Sequence, residues 1–189
     1  MINLFKKQIY LSESWIKPRT LINLRWLAIA GQVVAIAVTD FILNFNFNVQ
    51  ACFIIIFLSC VINLTSSAYF RTEKRLSAFK TFVFLVFDLT QISLLLFFSG
   101  GISNPFSILI IVPTIVSASS LPIIYLIILG VMTLISISFL SVKYFPIIDS
   151  SGNILKSSEI LLFGFSVSLI ITVTFLGGYV RRIFLDNSK

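Results

Sequence analysis

With 189 residues, 58% of them hydrophobic, 11% charged and a mean hydropathy of +1.05, the sequence excludes a soluble globular domain, where charged residues make up roughly a quarter of the chain. Fourteen lysines and arginines against seven acids give a net charge of +7, which basic residues flanking apolar helices explain without a nucleic-acid partner. No histidine is present, so these residues hold no imidazole for haem or zinc, no histidine base and no phosphoacceptor histidine.

Because about 20 apolar residues cross the hydrocarbon core as a helix, the chain reads as an all-α integral membrane protein. Residues 1–25 form a basic cytoplasmic or interfacial segment, with Lys6, Lys7, Lys17, Arg19 and Arg25 set among Leu4, Phe5, Ile9, Tyr10 and Trp15. A six-span membrane domain then occupies 26–182. Its crossings fall at about 26–43, read as a retained signal anchor, and at about 49–68, 81–98, 104–118, 122–142 and 160–180. Residues 183–189 are a short tail. Twelve of the fourteen basic residues collect on one side of these crossings and only Lys143 and Lys156 on the other, so the positive-inside rule predicts a six-transmembrane-helix bundle with both termini cytoplasmic.

Few polar residues fall inside the crossings. Asp88 is the one acid well within a span, with Gln91 three positions on and hence on the same helix face. A carboxyl group near the bilayer centre costs about 2.5–3.5 kcal/mol on insertion scales, which makes function the default hypothesis. The bland alternative is a neutral Asp88 bonded to Gln91 and a serine of a neighbouring helix. Pro113 is expected to kink the fourth span. Cys52 and Cys60, eight positions apart on one apolar run, read as packing residues rather than a redox pair.

Between the third and fourth crossings stands Gly100-Gly101-Ile102-Ser103-Asn104-Pro105-Phe106. The glycines permit a tight reversal, Asn104 suits a helix N-cap and Pro105 the first helical position. By itself this is a turn that starts a helix. No phosphate loop, zinc spacing or nucleophile elbow occurs, and no catalytic or metal-ligating residue is expected.

This heptapeptide, Thr20 to Gln32 (TLINLRWLAIAGQ) and Asp88-Leu89-Thr90-Gln91 together resemble the membrane domain of the RegB (PrrB, ActS) redox-sensing histidine kinases, over essentially the whole chain. The family's GGxxNPF pattern is matched at all five fixed positions. The resemblance implies a quinone-sensing module of a two-component system in the bacterial inner membrane, with Gly100, Gly101, Asn104, Pro105 and Phe106 at a non-covalent site for ubiquinone or another membrane quinone, and no metal. Phe97, Phe98 and Phe106 would supply the walls, and Asn104 with nearby amides the donors. It also implies contact with lipid, a homodimer, and a cytoplasmic response regulator as partner of the full kinase. The kinase core expected after the last span is absent here, which fits either a truncation or a natural kinase-less protein. Two other functions stay open: a ligand-free anchor and dimerisation module, or a small proton- or cation-coupled transporter using Asp88.

Overall fold

The computed structural model describes residues 18–42, 44–70, 76–104, 106–148, 152 and 154. Among the described residues five α-helices follow one another: α1 (Pro18–Ala37), α2 (Val49–Tyr69), α3 (Ala78–Phe98), α4 (Val112–Ser120) and α5 (Ile123–Val142). The local sequence sets their starts. Pro18 occupies the first position of α1, where its missing N–H does no harm. The Asn48 carboxamide accepts from Ala51 N at 3.1 Å to open α2, and the Ser77 hydroxyl accepts from Lys80 N at 3.3 Å to open α3. At its far end α1 widens into a π-turn, Val38–Ile42, with the Thr39 hydroxyl donating to Ala35 O.

The expected bundle of six crossings is not the observed one. Among the described residues four helices are long and apolar enough to cross a membrane: Pro18–Ile42, Val49–Tyr69, Ala78–Phe98 and Ile123–Val142. The stretch expected as the fourth crossing is broken. It winds as 3₁₀ turns at Gly101–Ser103 and Ser107–Ile111, and only then as the nine-residue α4. Its apolar helical part, Ser107–Ala118, covers too few residues for the about 30 Å of hydrocarbon. Proline is the physical reason. Pro113 lies in the first turn of α4, so instead of kinking a longer helix it starts a short one. The expected sixth crossing at 160–180 lies outside the described residues. The assignment of both termini to the cytoplasm counted six crossings, and it loses its basis with them.

The first helix also begins earlier than the hydropathy suggests, at 18 rather than 26, and this carries Arg25 out of the expected interfacial segment into α1. Helix α1 packs on α2, α2 on α3, and α3 on both α4 and α5. Along α3 the buried residues Ala78, Thr81, Leu85, Leu89 and Leu96 stand three, four or seven positions apart, the spacing of one helix face. That face joins Leu21, Ile110, Val116, Leu129 and Leu140 in the main core. A second cluster gathers Ile29, Ile36, Cys52, Ile56 and Leu95, with Cys60 and Phe98 against it, and both cysteines are free thiols. The outward faces stay apolar, as with Phe57 and Ile54 on α2 and Leu134 and Val131 on α5, which suits lipid contact.

At the C-terminal end of α3 three segments are laced together by backbone bonds. Gly100 N donates to Phe145 O and Phe145 N to Phe97 O, tying the end of α3 to the chain leaving α5. Asn46, between α1 and α2, exchanges a pair of bonds with Ile148. The heptapeptide is built into this layer.

Candidate functional site

Both heptapeptide glycines adopt conformations that side chains disfavour, φ +101° at Gly100 and +59° at Gly101. At Gly101 space demands glycine as well: a Cβ there would stand 2.5 Å from Tyr144 Cγ and 2.8 Å from Leu140 O. Asn104 is buried and its carboxamide is fully engaged within the turn. Nδ2 donates to Ser99 O at 2.6 Å and to Ser99 Oγ at 2.9 Å, while Oδ1 accepts from Phe106 N at 2.8 Å. That last bond closes an Asx-type turn, and the Ser107–Ile111 turn that follows is capped at Phe106 rather than at Asn104. Pro105 lies outside the described residues, and Phe106 is half-buried.

Phe97 and Phe98 pack on each other and on the α5 end. Their centroids lie 5.1 Å apart, Phe97 stands 5.8 Å from Phe139 and 5.3 Å from Phe145, and Phe98 stacks on Phe145 at 5.4 Å. These separations are those of rings in direct contact, so the cluster closes on itself.

Beside this brace lies an apolar groove of about 260 Å³ between α3, the Ser107–Ile111 turn and α5, lined by Leu96, Ile102, Ser107, Ile108, Ile110, Ile111, Ile137 and Leu140. Of the heptapeptide, Ile102 alone is among these residues. Gly100, Gly101, Asn104, Phe106, Phe97 and Phe98 are not among the lining residues, and Pro105 lies outside the described residues. Ser107 is 8% exposed, and its hydroxyl has no hydrogen-bond partner among the described residues.

Asp88 and Gln91 form a separate polar seam between α3 and α1. Asp88 Oδ1 accepts from Arg25 Nε at 2.6 Å, and Gln91 Nε2 donates to Gln32 Oε1 at 2.8 Å. The Arg25 guanidinium sits between two rings, 4.8 Å from the Phe84 centroid and 4.7 Å from that of Phe87. Its Nη1 and Nη2 are buried without acceptors among the described residues. Asp88 is therefore half of an ion pair, not a neutral acid bonded to Gln91. Alongside, Asn63 on α2 donates from Nδ2 to Ile22 O at 3.2 Å.

Residues 17–140 match the PilS-like transmembrane domain family. The chain belongs to that family. It is also 37% identical over 172 residues to a sensor histidine kinase RegB of Cereibacter sphaeroides, and 38% identical over 172 residues to the RegB of C. sphaeroides strain ATCC 17023. The alignments cover 91% of this chain and 37% of each relative, so the chain spans a little over a third of the length of those kinases. No solved structure matches it. The kinship assigns the chain to the sensor domains of RegB-type histidine kinases, with a general sensory and transducing role. Together with the long apolar helices it gives a multi-pass location in a bacterial inner membrane.

In this RegB-type domain the polar partners missed from sequence, Arg25 and Gln32, carried a readable signal. They are seven positions apart, two turns and thus one face of a helix. Pro18 as a helix-starting proline would have placed Arg25 inside the first span. Ser107 carried none, because its exposure to a groove is a tertiary fact.

Proposed function

We propose that this RegB-type domain senses the redox state of the membrane quinone pool, and that in a homodimeric kinase it relays that state through a cytoplasmic catalytic core to a response regulator. The observation that carries the reading is the apolar groove beside the heptapeptide, whose walls are aliphatic and whose one polar lining side chain is Ser107. That is the composition a quinone ring requires: apolar walls and a small number of aimed polar groups. The resemblance of the GGxxNPF stretch to the RegB pattern points to the same end of the helices.

One observation favours the ligand-free reading. Asn104 has both amide protons engaged within the turn, so the heptapeptide can serve as a structural brace alone. The transporter reading has less support, because Asp88 already faces a guanidinium at 2.6 Å and offers a passing cation no uncompensated charge. The test is solvent extraction of the purified protein, with quinone and phospholipid quantified by mass spectrometry. Quinone approaching one per chain supports the sensor. Phospholipid alone, with no quinone uptake on reconstitution, overturns it in favour of the anchor.

A further inference from the structure

We infer that the buried junction of α1, α2 and α3 is a binding site for water, with one molecule bridging the Arg25 guanidinium to the Asn63 carboxamide. The site is independent of the sensor reading, and Asp88, which marks its place on α3, stands ten residues before the end of that helix, about 15 Å from the turn. Among the described residues three side-chain polar atoms are wholly buried without a hydrogen-bond partner: Arg25 Nη1, Arg25 Nη2 and Asn63 Oδ1. Arg25 is 8% exposed and Asn63 0%. Polar groups at such depth are ordinarily bonded. Other buried side chains of these helices obey that rule: Ser59 bonds Ile55 O, Ser66 bonds Ile62 O, and Gln91 bonds Gln32.

The two residues converge on one turn of α1. Asn63 Nδ2 lies 3.2 Å from Ile22 O, and a helical carbonyl points toward the C-terminal end of its helix, where Arg25 follows three residues on. The Arg25 side chain leans the other way, because Cα–Cβ bonds tilt toward the helix N-terminus. Its plane is held, with Nε on Asp88 and the Phe84 and Phe87 rings beside the guanidinium, so the Nη atoms are fixed in direction. The chemistry of the three atoms then selects the occupant. Nη1 and Nη2 only donate, whereas Oδ1 only accepts. A carbonyl or an anion leaves Oδ1 unbonded, and a cation is repelled by the guanidinium. An anion also adds an uncompensated charge to a pair, Arg25 and Asp88, that is already balanced. Water does both: accepting from Nη1 and Nη2 and donating to Oδ1, it makes three bonds, the usual number for a buried water. It thereby ties α2 to the ion pair between α1 and α3.

The test uses the 189-residue chain in phospholipid nanodiscs, labelled with ¹⁵N-arginine. Solid-state NMR measures how fast magnetisation passes from water to the Arg25 guanidinium at short mixing times, beside thermal unfolding of each protein. Transfer to Arg25 Nη is expected in the parent. Asn63→Leu removes the acceptor and fills its space, and is expected to slow that transfer at least about threefold. Asn63→Ser keeps an oxygen that accepts and leaves room for water, and is expected to stay within about twofold of the parent. Ser138→Ala, on α5 and bonded to Leu134 O, leaves the rate unchanged, as does replacing chloride by gluconate. A parent whose Arg25 Nη receives no water magnetisation overturns the site without recourse to any variant. Undiminished transfer in a folded Asn63→Leu protein overturns the bridge to α2, and an Nη resonance that moves with chloride concentration overturns water in favour of an anion.

Discussion

Removing Asp88 alone is expected to be far more damaging than removing Asp88 and Arg25 together. In Asp88→Leu the guanidinium loses its one acceptor among the described residues, where Nη1 and Nη2 already have none, and a cation is left in the core against the Phe84 and Phe87 faces. Two unit charges about 4 Å apart attract by about 4 kcal/mol at an effective dielectric of about 20. The two ring contacts return about 0.5–2 kcal/mol. The expected loss is thus about 3–5 kcal/mol, the usual cost of orphaning one member of a buried pair. Asp88→Asn is milder, because its amide oxygen still accepts from Arg25 Nε. Arg25→Leu is milder too, since a carboxyl left without its cation can take up a proton and become neutral. With both truncated to leucine no stranded charge is left, and stability is expected within about 1 kcal/mol of the parent. Reversible unfolding in mixed micelles, followed by the fluorescence of the tryptophans, measures all four proteins. A double variant as damaged as the two single ones added together would refute the pairing argument.

Gly101→Ala is expected to lose about 2–5 kcal/mol, combining left-handed backbone strain with overpacking against Tyr144 and Leu140 O, and Gly31→Ala, where nothing lies within 4 Å of the added carbon, to gain about 0.5–1 kcal/mol; equal effects in an unfolding assay would discount the close approach. Asn104→Ala strands Ser99 O and Phe106 N and is expected to lower stability by about 1–3 kcal/mol, with any loss of quinone binding following that loss; weaker binding at unchanged unfolding temperature would instead make Asn104 a direct contact.

Hydropathy alone made the long helices legible, because an uninterrupted apolar run has no other stable form in lipid. The runs at 49–68, 81–98 and 122–142 coincide with α2, α3 and α5 to within about three residues. What failed was the treatment of proline. Pro18 marked a start that the charge of Arg25 concealed, and Pro113 marked a start where a kink was expected. Gly100 and Gly101 announced a reversal, yet the close approach of Tyr144 that demands glycine at 101 comes from the chain just past α5, more than 40 positions away, and leaves no local trace. Asn104 was expected as a helix cap and as a donor to a ligand, and its three side-chain bonds run to Ser99 and Phe106 within the turn. The positions that face the groove are Ile102, one of the two the motif leaves open, and Ser107, just past its end.

The two backbone bonds that Phe145 makes to Phe97 and Gly100 act as a pivot. Together they locate the end of α3, so in any tilt about that point the opposite end at Ala78 travels furthest. A helix of 21 residues is about 31 Å long, so each degree of tilt at the pivot displaces the Ala78 end by about 0.5 Å. Arg25 and Gln32 grip this arm part-way along, at Asp88 and Gln91, so α1 is drawn along with any such swing. A change in packing around Leu96, two residues from the pivot end of α3, would be magnified along the arm if it tilted the helix.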